Sequence, residues 1–282
     1  MRNTVWMQTG SRKESDIMSG KRLDVLLTEK GLFASREKAK ASIMAGMISV
    51  DGRLADKPGM STKEDAEISV KADSCPYVGR GGLKLEKALR VFDIDLDGTV
   101  CVDMGASTGG FTDCMLQNGA AHVYAVDVGY GQLAWKLRTD ERVTNIERTN
   151  IRYMDTSLIK EPADVITIDV SFISLELILP VAEKILSDSG SIIALVKPQF
   201  EAGREQVGKN GIVRDRAVHA AVIGKVAGAA KPLGLGSAGV DHSPVTGAKG
   251  NIEYLLHLKR GDSTLTDADI EKAVEASHRE LE

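Results

Sequence analysis

Four charged residues sit where an apolar stretch gives way to a turn, and their types suggest chemistry rather than packing. Asp103 and Asp127 each close a short apolar run, Thr99–Val102 and His122–Val126. Asp169 ends Asp164-Val165-Ile166-Thr167-Ile168, and Lys197 ends Ile192-Ile193-Ala194-Leu195-Val196. A fully buried unpaired charge is costly, so such residues need partners or a ligand. A facing Asp169–Lys197 pair would satisfy both, and spacing alone leaves a structural ion pair and a working pair equally open. Between Asp103 and Phe111 lies the run Met104-Gly105-Ala106-Ser107-Thr108-Gly109-Gly110. Its glycines permit positive φ and let a ligand press on bare backbone. A helix opening near Gly109 would turn unpaired N–H groups toward that turn. An acid about 20 residues further on is placed for ribose hydroxyls. The first inference is a cofactor that carries a nucleoside.

Spacing selects among cofactors. The dinucleotide fingerprint G-x-G-x-x-G lacks its second glycine here. A near match to a phosphate loop, Gly203 to Asn210, has Asn210 in place of the hydroxyl that would bind Mg²⁺, and reads as a flexible loop. The pattern D-x-G-A-S-T-G-G-F, with its paired acid, resembles the first motif of S-adenosylmethionine methyltransferases.

The elements that must position these residues alternate. Strands are expected at 99–103, 122–127, 143–147, 164–169, 191–197, 236–241 and 252–258. Helices are expected at 83–92, 109–118, 132–138, 174–187 and 215–230. That alternation predicts a mostly parallel sheet covered on both faces. The last strand follows a long glycine-containing connection and suits an antiparallel strand inserted late. Residues 263–282 read as a polar C-terminal helix or tail. In open sheets of this type, ligands bind beyond the carboxyl ends of the strands, where all four charged residues fall.

Ahead of this lies a different module. Leu23, Leu26 and Leu27 recur at helical spacing and Gly31 suits the position after the helix. Ser35 is placed to cap a second helix through Ala39, Ile43 and Met44. Ile48-Ser49-Val50-Asp51-Gly52-Arg53-Leu54 reads as a hairpin with an Asp-Gly turn, and Ala66–Val70 as a closing strand. The chain carries a net charge of −4, yet Lys21–Lys40 holds six basic residues against three acidic ones. Residues 74–82, rich in Pro and Gly, read as a linker. Residues 1–20 lack the apolar core of a secretory signal and read as a leader or disordered extension.

Composition bounds the classes. With 43% hydrophobic and 27% charged residues, the chain suits a soluble globular protein. No apolar run reaches the ~20 residues of a membrane span. Three cysteines without a C-x-x-C pair, and five scattered histidines, argue for a reducing, cytoplasmic setting and against a metal site.

Several stretches carry a specific resemblance. Arg22-Leu23-Asp24-Val25-Leu26-Leu27, Ser35-Arg36-Glu37-Lys38-Ala39 and Ile48–Gly52 resemble the S-four-type RNA-binding domain. Tyr77–Leu85, Asp103–Asp113, Ala125–Leu133, Ile168–Ser174, Val196–Glu201 and Gly250–Tyr254 are similar to the TlyA-type rRNA methyltransferases, a family also known under the name haemolysin. Gly79 stands where that family has Ser. The resemblance implies an α/β fold: a Rossmann-like S-adenosylmethionine methyltransferase domain of the FtsJ type over 83–262, and a small N-terminal α+β RNA-binding domain over 21–73. It implies a catalytic tetrad of Lys84, Asp169, Lys197 and Glu253. It implies cofactor contacts from Asp103, Gly105, Ala106, Ser107, Thr108, Gly109, Gly110, Phe111, Asp127, Asn150 and Asp169. Arg22, Arg36, Lys38, Lys40 and Arg80 would meet RNA, with ribosomal RNA or ribosomal subunits as partner, no metal and no membrane. The implied reaction is methylation of a ribose 2′-hydroxyl, of cytidine within the family. Chemically, a free lysine accepts protons near ~10.4, so steering and polarising the hydroxyl is the simpler role for Lys197. A membrane-active haemolysin, a non-catalytic ribosome-assembly factor and a small-molecule methyltransferase are the alternatives.

Overall fold

The structure, a computed structural model, describes residues 20–33, 35–44, 46–70, 75–247 and 249–281. The leader expected over 1–20 falls, but for Gly20, outside the described residues. The chain divides into two compact units, Met1–Ser74 and Cys75–Glu282.

In the first unit, β1 (Lys21–Arg22) leads into α1 (Leu23–Glu29), followed by α2 (Arg36–Met44). β2 (Ile48–Val50), β3 (Arg53–Leu54) and β5 (Ile68–Val70) form an antiparallel sheet in the order β3-β2-β5. Asp51 and Gly52 both take positive φ, +49° and +74°, the conformation an Asp-Gly hairpin turn requires. Leu23 and Leu27, and Ala39 and Ile43, recur four residues apart and so share a helix face. Those faces close on Ile48 and Val50 to form the core. A second ladder, β1 with β4 (Ser61–Thr62), was not legible in the sequence, because two-residue strands carry no period.

The second unit opens with α3 (Gly81–Phe92). β6 (Val100–Met104), α4 (Gly110–Gln117), β7 (His122–Val126), α5 (Trp135–Arg138), β8 (Val143–Ile146) and β9 (Ala163–Ile168) follow. Then come α6 (Leu179–Ile185), β10 (Leu186–Val196), α7 (Pro198–Glu201) and α8 (Arg216–Ala230). β11 (Leu235–His242), β12 (Tyr254–Arg260) and α9 (Asp267–Leu281) complete it. Seven strands make one sheet in the order β11-β12-β10-β9-β6-β7-β8. Only β12 runs against its neighbours, as expected of the late inserted strand. Alternate residues feed opposite faces: Val102, Met104, Ile192 and Ala194 pack toward α6 and α8, while Cys101, Ile193 and Leu195 pack toward α3 and α4.

Several boundaries differ from the sequence reading. Gly81 and Gly82, read as linker, open α3. A Cβ on Gly82 would lie 2.3 Å from the Tyr77 ring, so the glycine serves that close packing. The helix expected at 174–187 splits into a 3-10 turn at Leu175–Leu177 and α6, whose second residue is Pro180. β10 starts at Leu186, five residues early, with a register irregularity before Ser191. The near-miss phosphate loop forms two 3-10 turns, with Asn210 at φ +68°. α9 falls within the polar C-terminal helix or tail expected over 263–282, but buries Ile270, Ala273 and Val274 on one face.

Candidate active site

Register places the site. Met104 lies opposite both Val126 and Ile168, and Ala194 opposite Ile168, so four parallel strands end at one edge. Because β12 is antiparallel, its first residue Tyr254 pairs with the last residue of β10, Val196. Glu253 therefore starts where Lys197 leaves. Lys84 enters from the first turn of α3, where a cation is unfavourable to the helix dipole. Its partners offset that cost.

The four side chains form a continuous ionic chain. Lys197 Nζ lies 2.5 Å from Asp169 Oδ1 and donates to Ser171 Oγ at 3.1 Å. Lys84 Nζ donates to Glu253 Oε2 at 2.6 Å and lies 3.7 Å from Asp169 Oδ2. Lys84, Lys197 and Glu253 are buried, with Asp169 the most open of the four. Two ammonium groups balance two carboxylates, which is what allows burial of all four.

A cavity of about 500 Å³ lies along the ends of β6, β7 and β8. Gly105, Ser107, Asp127, Asn150 and Asp169 line it. Asp127 accepts from Ser107 N–H at 2.8 Å and Gly129 N–H at 2.6 Å, which fixes the carboxylate at the glycine turn. Asn150 caps the 3-10 turn that follows it by accepting from Arg152 N–H at 3.1 Å. Val128, Ile151 and Ile178 give the wall an apolar side. Gly105 has φ +95°, and a Cβ there would lie 2.5 Å from the Asp169 carbonyl oxygen. A half-buried carboxylate at one end, an apolar wall and a bare-backbone turn suit an adenosine with its ribose hydroxyls on Asp127. The residues present fit S-adenosylmethionine.

Other expected contacts are placed differently. Ala106, Thr108, Gly110 and Phe111 line a neighbouring recess of about 200 Å³, with Arg80 and Lys84. Gly109 borders none of these spaces: at φ +93°, a Cβ would lie 2.3 Å from Leu137 Cδ1 and 2.8 Å from Leu133 Cδ1. Asp103 is corrected from a cavity residue to a support behind the turn. It is fully buried and accepts from Thr112 N–H at 3.0 Å, Thr112 Oγ1 at 2.7 Å and Thr167 Oγ1 at 3.2 Å. Burial pushes its carboxyl up to about 6 against the opposing Thr112 hydrogen bond.

A second cavity, about 590 Å³, shares Gly105, Ser107, Asp169, Ser171 and Phe172 with the first. Lys84, Lys197 and Glu253 line it, together with Gln199, Phe200 and Lys249. Sequence reasoning did not single out Ser171, Phe172 or Phe200, although they lie inside the stretches around Asp169 and Lys197 that carried the resemblance. Phe172 was recognisable only by its place after Asp169. It is 90% exposed, holds φ +65°, and its ring centroid lies 4.8 Å from that of Phe200.

In the first unit, Arg22 and Arg36 converge on the buried Asp24. Arg22 Nε lies 3.0 Å from Oδ1, and Arg36 Nη2 lies 2.9 Å from Oδ2. The Arg22 hydrogen bond brings the Asp24 carboxyl down to about 2, with Arg36 adding to it against burial. Both guanidinium groups stay about half exposed, held side by side. Lys38 is exposed and Lys40 half-buried. Among the described residues, no group of three or more His, Cys, Asp and Glu side chains could hold a metal, and no helix is long and apolar enough to cross a membrane.

Comparison with known proteins agrees with this geometry. The family model described as FtsJ-like methyltransferase matches residues 77–260, and that of the S4 domain matches 21–68. YqxC of Bacillus subtilis is 52% identical, over 92% of this chain and 95% of its own. The 16S/23S rRNA (cytidine-2′-O)-methyltransferase TlyA of Mycobacterium tuberculosis is 45% identical, over 90% of this chain and 95% of its own. A solved structure of a hemolysin-named protein from Streptococcus thermophilus superposes with a TM-score of 0.75 at 49% identity, covering 93% of this chain and 97% of that one.

Proposed function

The chain belongs to the FtsJ-like methyltransferases, which use S-adenosylmethionine, and from that premise we propose that it methylates the ribose 2′-hydroxyl of a cytidine in ribosomal RNA. The observation that carries this reading is the Lys84–Asp169–Lys197–Glu253 chain lining the second cavity, with Asp169 shared with the first. One cavity suits the cofactor; the other is large enough to receive part of a nucleotide and lies against Lys197.

Bound S-adenosylmethionine supplies an electrophilic methyl on its sulfonium. The protein's task is to hold the acceptor oxygen in line with it, and positioning supplies much of such a rate. Lys197 is the tetrad member that meets the 2′-oxygen. Asp169 and Ser171 hold its Nζ, and all three residues line the second cavity. Lys197 orients the hydroxyl and stabilises negative charge as it develops on oxygen. Lys84 adds a second positive charge beside Asp169, and Glu253 holds Lys84 in place. The target nucleotide must be unstacked to reach this depth. Arg22, Arg36, Lys38 and Lys40 in the S4 domain, and Arg80 beside the tetrad, supply phosphate contacts. Aligned guanidinium groups on Asp24 favour that role, since their geometry is set before RNA arrives.

The test is methyl transfer from labelled S-adenosylmethionine to unmodified ribosomal subunits, with wild type beside Lys197→Ala. The expected product is 2′-O-methylcytidine, identified by mass spectrometry and lost in the variant. Cofactor binding without labelling of subunits or free rRNA would overturn the reading.

A further inference from the structure

We propose that Glu201 is a positioning residue for methyl transfer: its buried carboxylate latches the loop that carries Asp169 and Ser171 to the turn that carries Lys197. This deepens the reading above and rests on the role given there to Lys197.

β9 and β10 are neighbouring parallel strands, and their last ladder pair is Ile168 with Ala194. Beyond that pair their two loops diverge. The first loop, 169–178, lines both cavities. The second begins at Lys197 and passes at once into α7, a single turn. Within it Phe200 N–H donates to Lys197 O at 2.9 Å, and Ala202 N–H to Pro198 O at 2.9 Å. Lys197 and Glu201 therefore move as one piece.

Glu201 closes the gap between the loops. Its Oε1 accepts from Leu175 N–H at 2.7 Å, and its Oε2 from Ser174 Oγ at 2.7 Å. The side chain is 2% exposed. A buried carboxylate is costly without strong partners. Among the described residues, the one cation within ion-pair distance is Lys225, at 3.7 Å and itself 42% exposed. The two short charge-assisted bonds to the loop are the stronger partners. Among the described residues, the other polar and ring links across the gap are the Phe172–Phe200 ring contact, with Phe172 largely exposed, the half-exposed Lys225, which donates to Glu201 O at 3.1 Å and lies 3.7 Å from Glu176 Oε2, and the Lys197 contacts to Asp169 and Ser171. The last are the contacts that must be held in place, so they cannot also be the support. Glu201 supplies the support from the buried side.

The experiment uses the full chain and compares Glu201→Ala, Glu201→Gln and, as control, Glu176→Gln, which alters the exposed partner of Lys225. For each, kcat and KM are measured for ribosomal subunits and S-adenosylmethionine, with S-adenosylhomocysteine affinity and thermal midpoint alongside. Glu201→Ala is expected to lower kcat about 10- to 100-fold, the scale of a misplacement near 1 Å. Both KM values and the affinity should stay within about threefold, since the cofactor cavity keeps its Asp127 side. Glu201→Gln should recover most of kcat, because an amide still accepts from Leu175 N–H and donates to Ser174 Oγ. Glu176→Gln should match wild type. A Glu201→Ala enzyme with normal kcat, or one whose loss follows only from a lower thermal midpoint or lost cofactor affinity, would overturn the latch while leaving the function standing. Wild type that transfers no methyl would overturn the functional reading and the latch with it.

Discussion

Replacing Asp103 with Asn should change how stability depends on pH, in a direction fixed by burial. In the fold the Asp103 carboxyl is pushed from 3.8 up to about 6, chiefly by desolvation. The folded state therefore holds this proton more tightly than the unfolded one. Its stabilising contribution is full below about 3.8 and is lost as pH rises through about 6. At about 1.4 kcal/mol per unit, the charged form costs roughly 3 kcal/mol at neutral pH. His257 works in the opposite direction: burial lowers its imidazole from 6.5 to about 4, helped by Lys259. Its contribution is full above 6.5 and is lost as pH falls toward 4. These two contributions nearly cancel each other between about pH 4 and 6.5, while the carboxyls held below their ordinary values, Asp24 and Asp241 among them, add a rise of stability with pH that wild type and variant share. Asn keeps an acceptor for Thr112 and a donor toward Thr167, and removes one of the opposing slopes. Asp103→Asn should be more stable than wild type near pH 7, by up to roughly 3 kcal/mol, and converge with it near pH 4. Urea unfolding followed by circular dichroism, with amide exchange in β6 and β9 to report on the second unit, measures the difference at each pH. Parallel curves for the two proteins across this range would refute the burial argument.

Three further outcomes follow from the site. Gly105→Ala should abolish detectable S-adenosylhomocysteine binding in calorimetry and cost about 1–3 kcal/mol in backbone strain alone, because its Cβ meets the Asp169 carbonyl at φ +95°. Asp127→Ala removes the acceptor for two backbone N–H groups; cofactor affinity should fall about 10- to 100-fold, with kcat at saturating cofactor much less affected. Arg22→Gln combined with Arg36→Gln keeps donors for the buried Asp24 but removes two charges. The log–log salt dependence of RNA affinity should become shallower by about two, and an unchanged slope would exclude these arginines from the interface.

Local signals carried much of this protein on their own. Glycine turns, Asp-Gly hairpin chemistry and apolar runs of strand length mark elements because each depends on a few adjacent residues. Asp127 and Lys197 stood out as candidate site residues for the same reason, since a charge at the end of an apolar run needs an explanation wherever the chain goes. The split of the expected 174–187 helix and the early start of β10 were not legible: the apolar residues of 175–186 fit helix and strand alike, and the polar run Ser187–Gly190 carries no strand signal, so packing and pairing decided. Glu253 and Lys84 could be linked only through resemblance. They lie 169 residues apart, and they meet because β12 enters the sheet antiparallel, bringing its first residue to the edge where β10 ends. Asp103 shows the converse. Its position at a strand end matched that of Asp127, yet the tertiary structure buries it behind the turn, with two threonines as its partners. Glu201 follows Lys197-Pro198-Gln199-Phe200 with no local pattern to mark it, and acquires its partners only when two loops from neighbouring strands come together. Sequence determines which residues can form a turn or end a strand, because those are short-range steric and solvation preferences. Which charges face each other is decided by strand order and direction, a property of the whole sheet.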